Sequence, residues 1–243
     1  MNTFRKILLG IICAATFAST ASAREKIIVA SDATFKPFEY VENGNLTGFD
    51  IELMNAIGKK IDSEIEWVTT DFKGLIPGLV ARRFNIAISA IYITDERLKV
   101  VDFSNPYYAG GLVALVKKDN ATIKSPGDLA GKSVSVQVGT KSVAFMKSQY
   151  PTTKLFEVEK NDQMFSLVQT GRADAAVTGK PAALLYAKQE PSLAILKEQL
   201  TTENYGIAIR KDQPELTEAV NKAIVALKDD GTYSALVAKY FGE

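Results

Sequence analysis

The stretch AISAIYITDERLKVVDFSNPYYAGGLVALV, Ala87–Val116, holds a strand ending, a helix start and a change of chain direction. An apolar run through Ile86, Ile88, Ile91 and Ile93 leads straight into Thr94-Asp95-Glu96-Arg97. Thr94 suits a helix N-cap, and Asp95 and Glu96 suit a first helical turn. Arg97 does not, because the partial positive charge of a helix start disfavours a cation. Its planar fork can instead grip a carboxylate through two parallel bonds; the alternative is a local ion pair with Asp95, Glu96 or Asp102. From Asn105 the helical pattern stops, and a new apolar strand begins at Leu112.

Outward from this stretch, short apolar runs alternate with helical periods. The strands expected are Lys26–Ser31, Glu64–Thr70, Phe84–Ala90, Gly111–Lys117, Ser133–Val138, Lys154–Val158, Ala173–Thr178 and Gly206–Arg210. Between them the spacing predicts helices over Phe49–Ile61, Lys73–Arg82, Ser142–Gln149, Asp162–Thr170, Pro181–Gln189, Glu215–Asp229 and Thr232–Tyr240. Such alternation implies an α/β protein with mainly parallel sheets. A second non-helical passage, Thr201–Tyr205, mirrors the one at Asn105–Gly111. Two extended crossings of this kind make a hinge between two lobes.

The 243 residues are ample for a sizeable core, and an apolar content of 47% with 23% charged residues is that of an ordinary globular protein. Basic and acidic residues number 29 and 28, so no general field draws nucleic acid or an anionic membrane. Arg5 and Lys6, the apolar run Ile7–Ala18 and Ala21-Ser22-Ala23 follow the order of a secretory signal peptide cleaved after Ala23. Ile12 precedes the single cysteine, Cys13, and is too large for a lipoprotein cleavage site. Loss of residues 1–23 removes two basic residues and no acidic one, taking the formal net charge from +1 to −1. The exported chain then has no cysteine and folds without disulfides. A bacterial periplasm suits it.

Ligands of open α/β sheets bind outside the carboxyl ends of the strands, and four segments lie there. Asp32, after Ile27–Ala30, either accepts hydrogen bonds from a ligand amide or ammonium or caps its own turn, with Phe35 as an apolar wall or a core residue. Phe72, in Asp71-Phe72-Lys73-Gly74, is either a second wall or core. Arg97 is the third. The fourth is Gln137-Val138-Gly139-Thr140-Lys141-Ser142, where a tight turn opens a helix whose backbone N–H groups can receive an anion. With no histidine in the chain, Ser-His-Asp and Cys-His catalysis are excluded, and a zinc site would lack histidine and, after cleavage, thiol ligands. There is no GxGxxG or P-loop pattern. Acid–base work by Asp, Glu or Lys stays open.

The phrases VASDATFKPFEY, GNLTGFDIELMNAIGKKI, DFKGLIPGL, ITDERLKVVDFSNPYY, VGTKS, GRADAAVTGKP and YGIAIRK occur in this order from Val29 to Lys211. Their succession resembles the polar-amino-acid solute-binding proteins of bacterial ABC importers, the glutamine/arginine/histidine-binding group, over essentially all of Lys26–Gly242. The resemblance implies a type II periplasmic binding protein: residues 24–108 and 206–243 form lobe 1, 109–205 form lobe 2, and two strands form the hinge. It implies a monomer that closes on one amino acid, glutamine-like as first choice, and docks on a membrane permease with its ATPase. No metal or cofactor is implied.

Position by position, the resemblance places Asp32 at the polar end of the ligand side chain and Phe35 and Phe72 on its apolar part. The Ala90 carbonyl faces the α-ammonium, with Ile91 and Tyr92 beside it. Arg97 grips the α-carboxylate, with the backbone N–H at Lys141 as a second donor, and Gln137, Ser142, Thr178 and Gly179 belong to the far lobe's side of the site. Three positions depart from the family pattern. Gly179 stands where an acid usually neutralises the ammonium, Tyr92 where a threonine-like residue is usual, and Gln137 where a cation or small polar residue is common. Loss of a charge-assisted bond contributing about 1.5–3 kcal/mol weakens an α-amino acid roughly tenfold or more. Either the ammonium is held differently, or the ligand is more acidic, or it lacks the ammonium. Cyclohexadienyl dehydratases share the superfamily, so an enzyme on the same fold is the other reading.

Overall fold

A computed structural model describes residues 25–242. The expected signal peptide and Cys13 lie outside the described residues. The first sheet belongs to the chain's two ends. It uses β1 (Glu25–Ser31); β2 (Thr34–Phe35), β3 (Glu39–Glu42) and β4 (Asn45–Thr47) form a small antiparallel sheet beside it. Helix α1 (Phe49–Lys60) follows, then β5 (Ser63–Thr69), a 3-10 turn (Phe72–Gly74), α2 (Leu75–Val80), β6 (Ile86–Ala87), α3 (Asp95–Leu98) and β7 (Val101–Phe103). The chain then passes through β8 (Tyr108–Ala109) to the middle sheet. That sheet is built from β9 (Leu112–Lys117), β10 (Ser133–Gln137), β11 (Lys154–Val158), β12 (Ala175–Gly179) and β13 (Leu193–Ile195), with α4 (Lys141–Gln149), α5 (Asn161–Gln169) and α6 (Lys180–Gln189) between strands. It returns through β14 (Asn204–Tyr205) and ends in β15 (Ala208–Arg210), α7 (Pro214–Asp229) and α8 (Thr232–Phe241).

Both five-stranded sheets are mixed in the same way. The orders are β5-β1-β6-β15-β7 and β11-β10-β12-β9-β13. Three adjacent strands of each are parallel, as the alternating pattern implies. The remaining pairings are antiparallel, because β9 enters one lobe and β15 re-enters the other directly from the crossings, without a helix to reverse them. The crossings themselves pair: Tyr108 lies opposite Tyr205 and Ala109 opposite Asn204. Tyr107 N–H also donates to the Tyr205 carbonyl at 3.0 Å.

Local chemistry explains the elements that hold the site. Helix α1 carries Asp50 and Glu52 in its first turn and Lys59 and Lys60 in its last, matching the helix dipole. It starts at Gly48, whose φ is 126° and where a Cβ would lie 2.2 Å from the Phe38 carbonyl oxygen, so only glycine fits. The helix expected over Lys73–Arg82 is instead a 3-10 turn and a short α2. Pro77, at the third position of α2, needs no intrahelical donor there. The strand expected over Phe84–Ala90 narrows to Ile86–Ala87, because the chain leaves the sheet and Ala90 turns into the left-handed region at φ 45°. Around the crossings, Phe38, Phe49, Tyr108 and Phe241 form an aromatic cluster, with Phe38 5.3 Å from the Tyr205 ring and Tyr108 4.5 Å from Phe241. Among the described residues no helix is long and apolar enough to cross a membrane.

Candidate functional site

The carboxyl ends of β1, β6, β10 and β12 face one another across the two sheets. A cavity of about 30 Å3 remains between them, lined by Phe35, Phe72, Ser89, Ala90, Tyr92, Gln137, Thr140, Ser142, Val177, Thr178, Gly179 and Tyr205. Of the residues expected from sequence, Phe35, Phe72, Ala90, Tyr92, Gln137, Ser142, Thr178 and Gly179 thus meet at one place. Every residue of this lining is uncharged.

Asp32 stands at the end of β1, nearly buried. Its Oδ2 accepts the Thr34 hydroxyl and the Gln137 amide, each at 2.7 Å, and Lys160 Nζ lies 3.5 Å from Oδ1. Burial pushes the Asp32 carboxyl up, while these hydrogen bonds and the lysine oppose the shift. Gln137 is held in turn: its amide also donates to the Glu159 carbonyl at 3.0 Å and its oxygen accepts from Asn161 at 2.9 Å.

Arg97 sits in α3 behind the Thr94 cap, whose hydroxyl accepts the Arg97 N–H at 3.3 Å. Its guanidinium donates to the Tyr92 carbonyl at 2.8 Å and, across the cleft, to the Gly139 carbonyl at 3.3 Å. It also lies 5.7 Å from the Phe72 ring centroid. The local ion pair with Asp95, Glu96 or Asp102 does not form: no carboxylate lies within 4.0 Å of Arg97 among the described residues. Burial lowers the Arg97 pKa to about 10, so the group stays charged at neutral pH.

The Tyr92 departure and the Gly179 departure are one geometric fact. The Tyr205 hydroxyl donates to the Tyr92 hydroxyl at 3.2 Å, and the two rings lie 4.5 Å apart. A Cβ at Gly179 would stand 2.2 Å from the Tyr205 hydroxyl oxygen and 3.4 Å from that of Tyr92. Two phenols therefore occupy the space where a side chain at 179 would project. Burial pushes both phenols up, so both remain neutral.

The remaining expected residues lie elsewhere. The Ile91 side chain packs into the core with Ala30, Leu75 and Leu79, and only its backbone reaches the crossing, accepting Gly206 N–H at 3.0 Å. Lys141 pairs with Glu203 and lies 5.6 Å from the Tyr92 ring centroid. Ser89 and Tyr205 were not among the expected site residues. Tyr205 adjoins the glycine of YGIAIRK at the second crossing, the one sequence signal for it. Further contacts bridge the cleft: Lys73 to Glu159 at 2.5 Å and Lys160 to Asp71 at 2.7 Å. The lobes are therefore closed on each other. Among the described residues no group of three or more potential ligands could hold a metal ion.

Comparison with known proteins agrees with this geometry. The model of the bacterial extracellular solute-binding proteins, family 3, matches residues 27–243. The chain is similar to the ABC transporter arginine-binding protein 1 of Escherichia coli (strain K12), 34% identical over 243 residues, covering 98% of this chain and 99% of that protein. Among solved structures, an ancestral arginine-binding protein bound to glutamine is 42% identical with a TM-score of 0.86, covering 91% of this chain and 100% of that one. The ancestral amino acid-binding protein AncCDT-1, a precursor of cyclohexadienyl dehydratase, is 43% identical with a TM-score of 0.83, over 89% of this chain and 95% of that one.

Proposed function

The chain belongs to the bacterial extracellular solute-binding proteins of family 3, and on that premise we propose that it captures an amino acid with a neutral polar side chain and delivers it to an ABC importer. The observation that carries the reading is the charge layout of the closed cleft. The Arg97 guanidinium hydrogen-bonds to carbonyls only, one from each lobe, and calls for an anion. At the far end Asp32 already has Lys160 and the Gln137 amide, so a neutral amide completes that end better than a second cation. Glutamine has this pattern of groups. One relative of known structure, an ancestral arginine-binding protein, is itself bound to glutamine.

In this reading Arg97 and the N–H groups at Lys141 and Ser142 hold the α-carboxylate. The Ala90 carbonyl receives the ammonium, Phe35 and Phe72 sandwich the methylenes, and Asp32, Gln137 and Thr178 order the side-chain amide. Residues 24–108 with 206–243 and residues 109–205 move as two bodies about the crossings. The mature protein is a periplasmic monomer, freed of its signal peptide near Ala23, and its closed form docks on the permease with its ATPase behind.

Thermal unfolding with a panel of amino acids and simple carboxylates tests this. A ligand at 100 times its dissociation constant stabilises by about 2.7 kcal/mol, and L-glutamine is expected to lead the panel. A panel in which no amino acid shifts the transition overturns the reading. The likeness to AncCDT-1 supports a second one, a dehydratase of a cyclohexadienyl acid. Elimination of water needs a general acid at the leaving oxygen, and the one carboxyl group assigned to the ligand seat, Asp32, is already engaged by Thr34, Gln137 and Lys160. Turnover of such an acid would favour the second reading.

A further inference from the structure

Behind the cleft floor lies a pair of acids that lines no part of the cavity. Glu39 on β3 and Asp50 in the first turn of α1 are both fully buried. Asp50 Oδ2 accepts Ala90 N–H at 2.8 Å and the Tyr107 hydroxyl at 2.9 Å. Glu39 Oε1 accepts the Ser89 hydroxyl at 2.6 Å, and the Ser89 oxygen accepts Asp32 N–H at 3.2 Å. The pair thus backs both polar ends of the ligand seat, and Tyr107 ties it to the crossing strands.

The other two carboxyl oxygens, Glu39 Oε2 and Asp50 Oδ1, find no donor among the described residues. The negative charge of Asp50, like burial, pushes the Glu39 carboxyl up. Two neighbouring buried carboxyl groups resist ionising together, so the pair carries one negative charge near neutrality. Burial raises both acids, Asp50 to about 6, and with two donors on Asp50 against one on Glu39 the charge resides on Asp50. Unlike Asp32, neither acid has a lysine or arginine within 4.0 Å among the described residues. A buried charge without a counter-charge is costly, and this one lies one peptide unit behind the Ala90 carbonyl. The same hydrogen bond holds Ala90 at φ 45°, a left-handed conformation that a side chain disfavours.

We infer that Asp50 is the counter-charge for the ligand's α-ammonium, acting as a positioning residue through the Ala90 peptide that it fixes. It supplies at one remove what the cleft lacks, since Gly179 carries no carboxylate and the two phenols beside it are neutral. The inference rests on the amino-acid reading proposed above.

Calorimetric titration of the full mature chain with L-glutamine and with its 2-hydroxy analogue tests it. The two probes share the carboxylate and amide and differ only in the ammonium. The wild type is expected to prefer L-glutamine, and Asp50→Asn to cut the ratio of the two affinities roughly tenfold. A purely structural role would weaken both probes alike, and that result, or an unchanged ratio, overturns the inference. Should Asp50→Asn fail to fold, the wild type supplies the same measurement. Lowering the pH from 8 to 5 protonates Asp50, and the ratio is expected to fall. The other titratable groups facing the pair are Asp32, Tyr107 and Tyr205. The tyrosines stay protonated throughout, and Asp32 meets the amide common to both probes, so it cancels from the ratio. A ratio constant from pH 8 to 5 overturns the inference. A wild type that binds neither L-glutamine nor any other amino acid of the melting panel overturns the reading beneath it.

Discussion

The two ends of the cleft differ in how their charges are met. At the Asp32 end a buried acid has a hydroxyl, an amide and, at 3.5 Å, a lysine. At the Arg97 end a cation has only two carbonyls and an aromatic face. The first end is nearly balanced before any ligand arrives, while the second is short of one negative charge. The difference teaches that affinity concentrates at the α-carboxylate and that the side-chain end serves selection. Arg97→Ala therefore carries the largest expected effect. Truncating one partner of a hydrogen-bonded charge pair costs on the order of 2–5 kcal/mol, so affinity should fall about thirtyfold or more while the ligand-free protein melts nearly as before. Calorimetry that finds the affinity unchanged would break the comparison at its strong end.

Gly179 sharpens the same end from the opposite lobe. An alanine there puts its Cβ 2.2 Å from the Tyr205 hydroxyl oxygen, and Tyr205 is fully buried against Tyr92 and Phe38. Overpacking of this kind costs about 1–3 kcal/mol. Gly179, Tyr205 and Tyr92 all line the cleft cavity, and Tyr92 belongs to the facing lobe, so the cost falls on the ligand seat and its closure, and Gly179→Ala should weaken binding roughly tenfold. Tyr205→Phe removes the clashing oxygen and should restore part of the loss in the double variant. Additive losses would show that the contact is not the cause.

Asp32→Asn measures the balanced end. Lys160 keeps Asp71 at 2.7 Å, so the substitution strands no cation, and an asparagine oxygen can still accept from Gln137. A neutral hydrogen bond replaces a charged one, and L-glutamine binding should weaken only about fivefold. A loss as large as that of Arg97→Ala would mean that the Asp32 end is not balanced by Lys160 and Gln137.

Much of this layout is written in local signals. The strands Lys154–Val158 and Lys26–Ser31 announce themselves by apolar runs, and the Thr94 cap places Arg97 where it is found. The residues quoted from DATF, DFKG, VGTKS and VTGK converge because each ends a strand or opens a helix on the same side of its sheet. Ile91 shows the limit of position-by-position reading. The chain bends at Ala90 in the left-handed region, and past that bend Tyr92 faces the cavity while the Ile91 side chain goes to the core. The strands β2 to β4 escape because two to four residues are too few to show a period. The reach of Tyr205 to Gly179 and the meeting of Glu39 with Asp50 escape for another reason. Each is a contact between distant elements, and no spacing along the chain encodes it.

The smallest effect belongs to the cleft rim. Lys73 and Glu159 form a 2.5 Å ion pair between the lobes, with side chains 49% and 47% exposed. The pair bridges the same gap as Gln137 and Asp32, so a count of contacts would rank them alike. Exposure separates them. Water and counter-ions screen the lysine pair, and ordering two long side chains offsets much of its attraction. The Gln137–Asp32 bond is buried, and opening it without a ligand amide to replace it costs that carboxylate oxygen one of its two donors. Lys73→Ala should therefore change affinity by less than about twofold at low salt and not at all near 1 M salt. A larger, salt-sensitive loss would move the control of closure from the buried ends of the cleft to its rim.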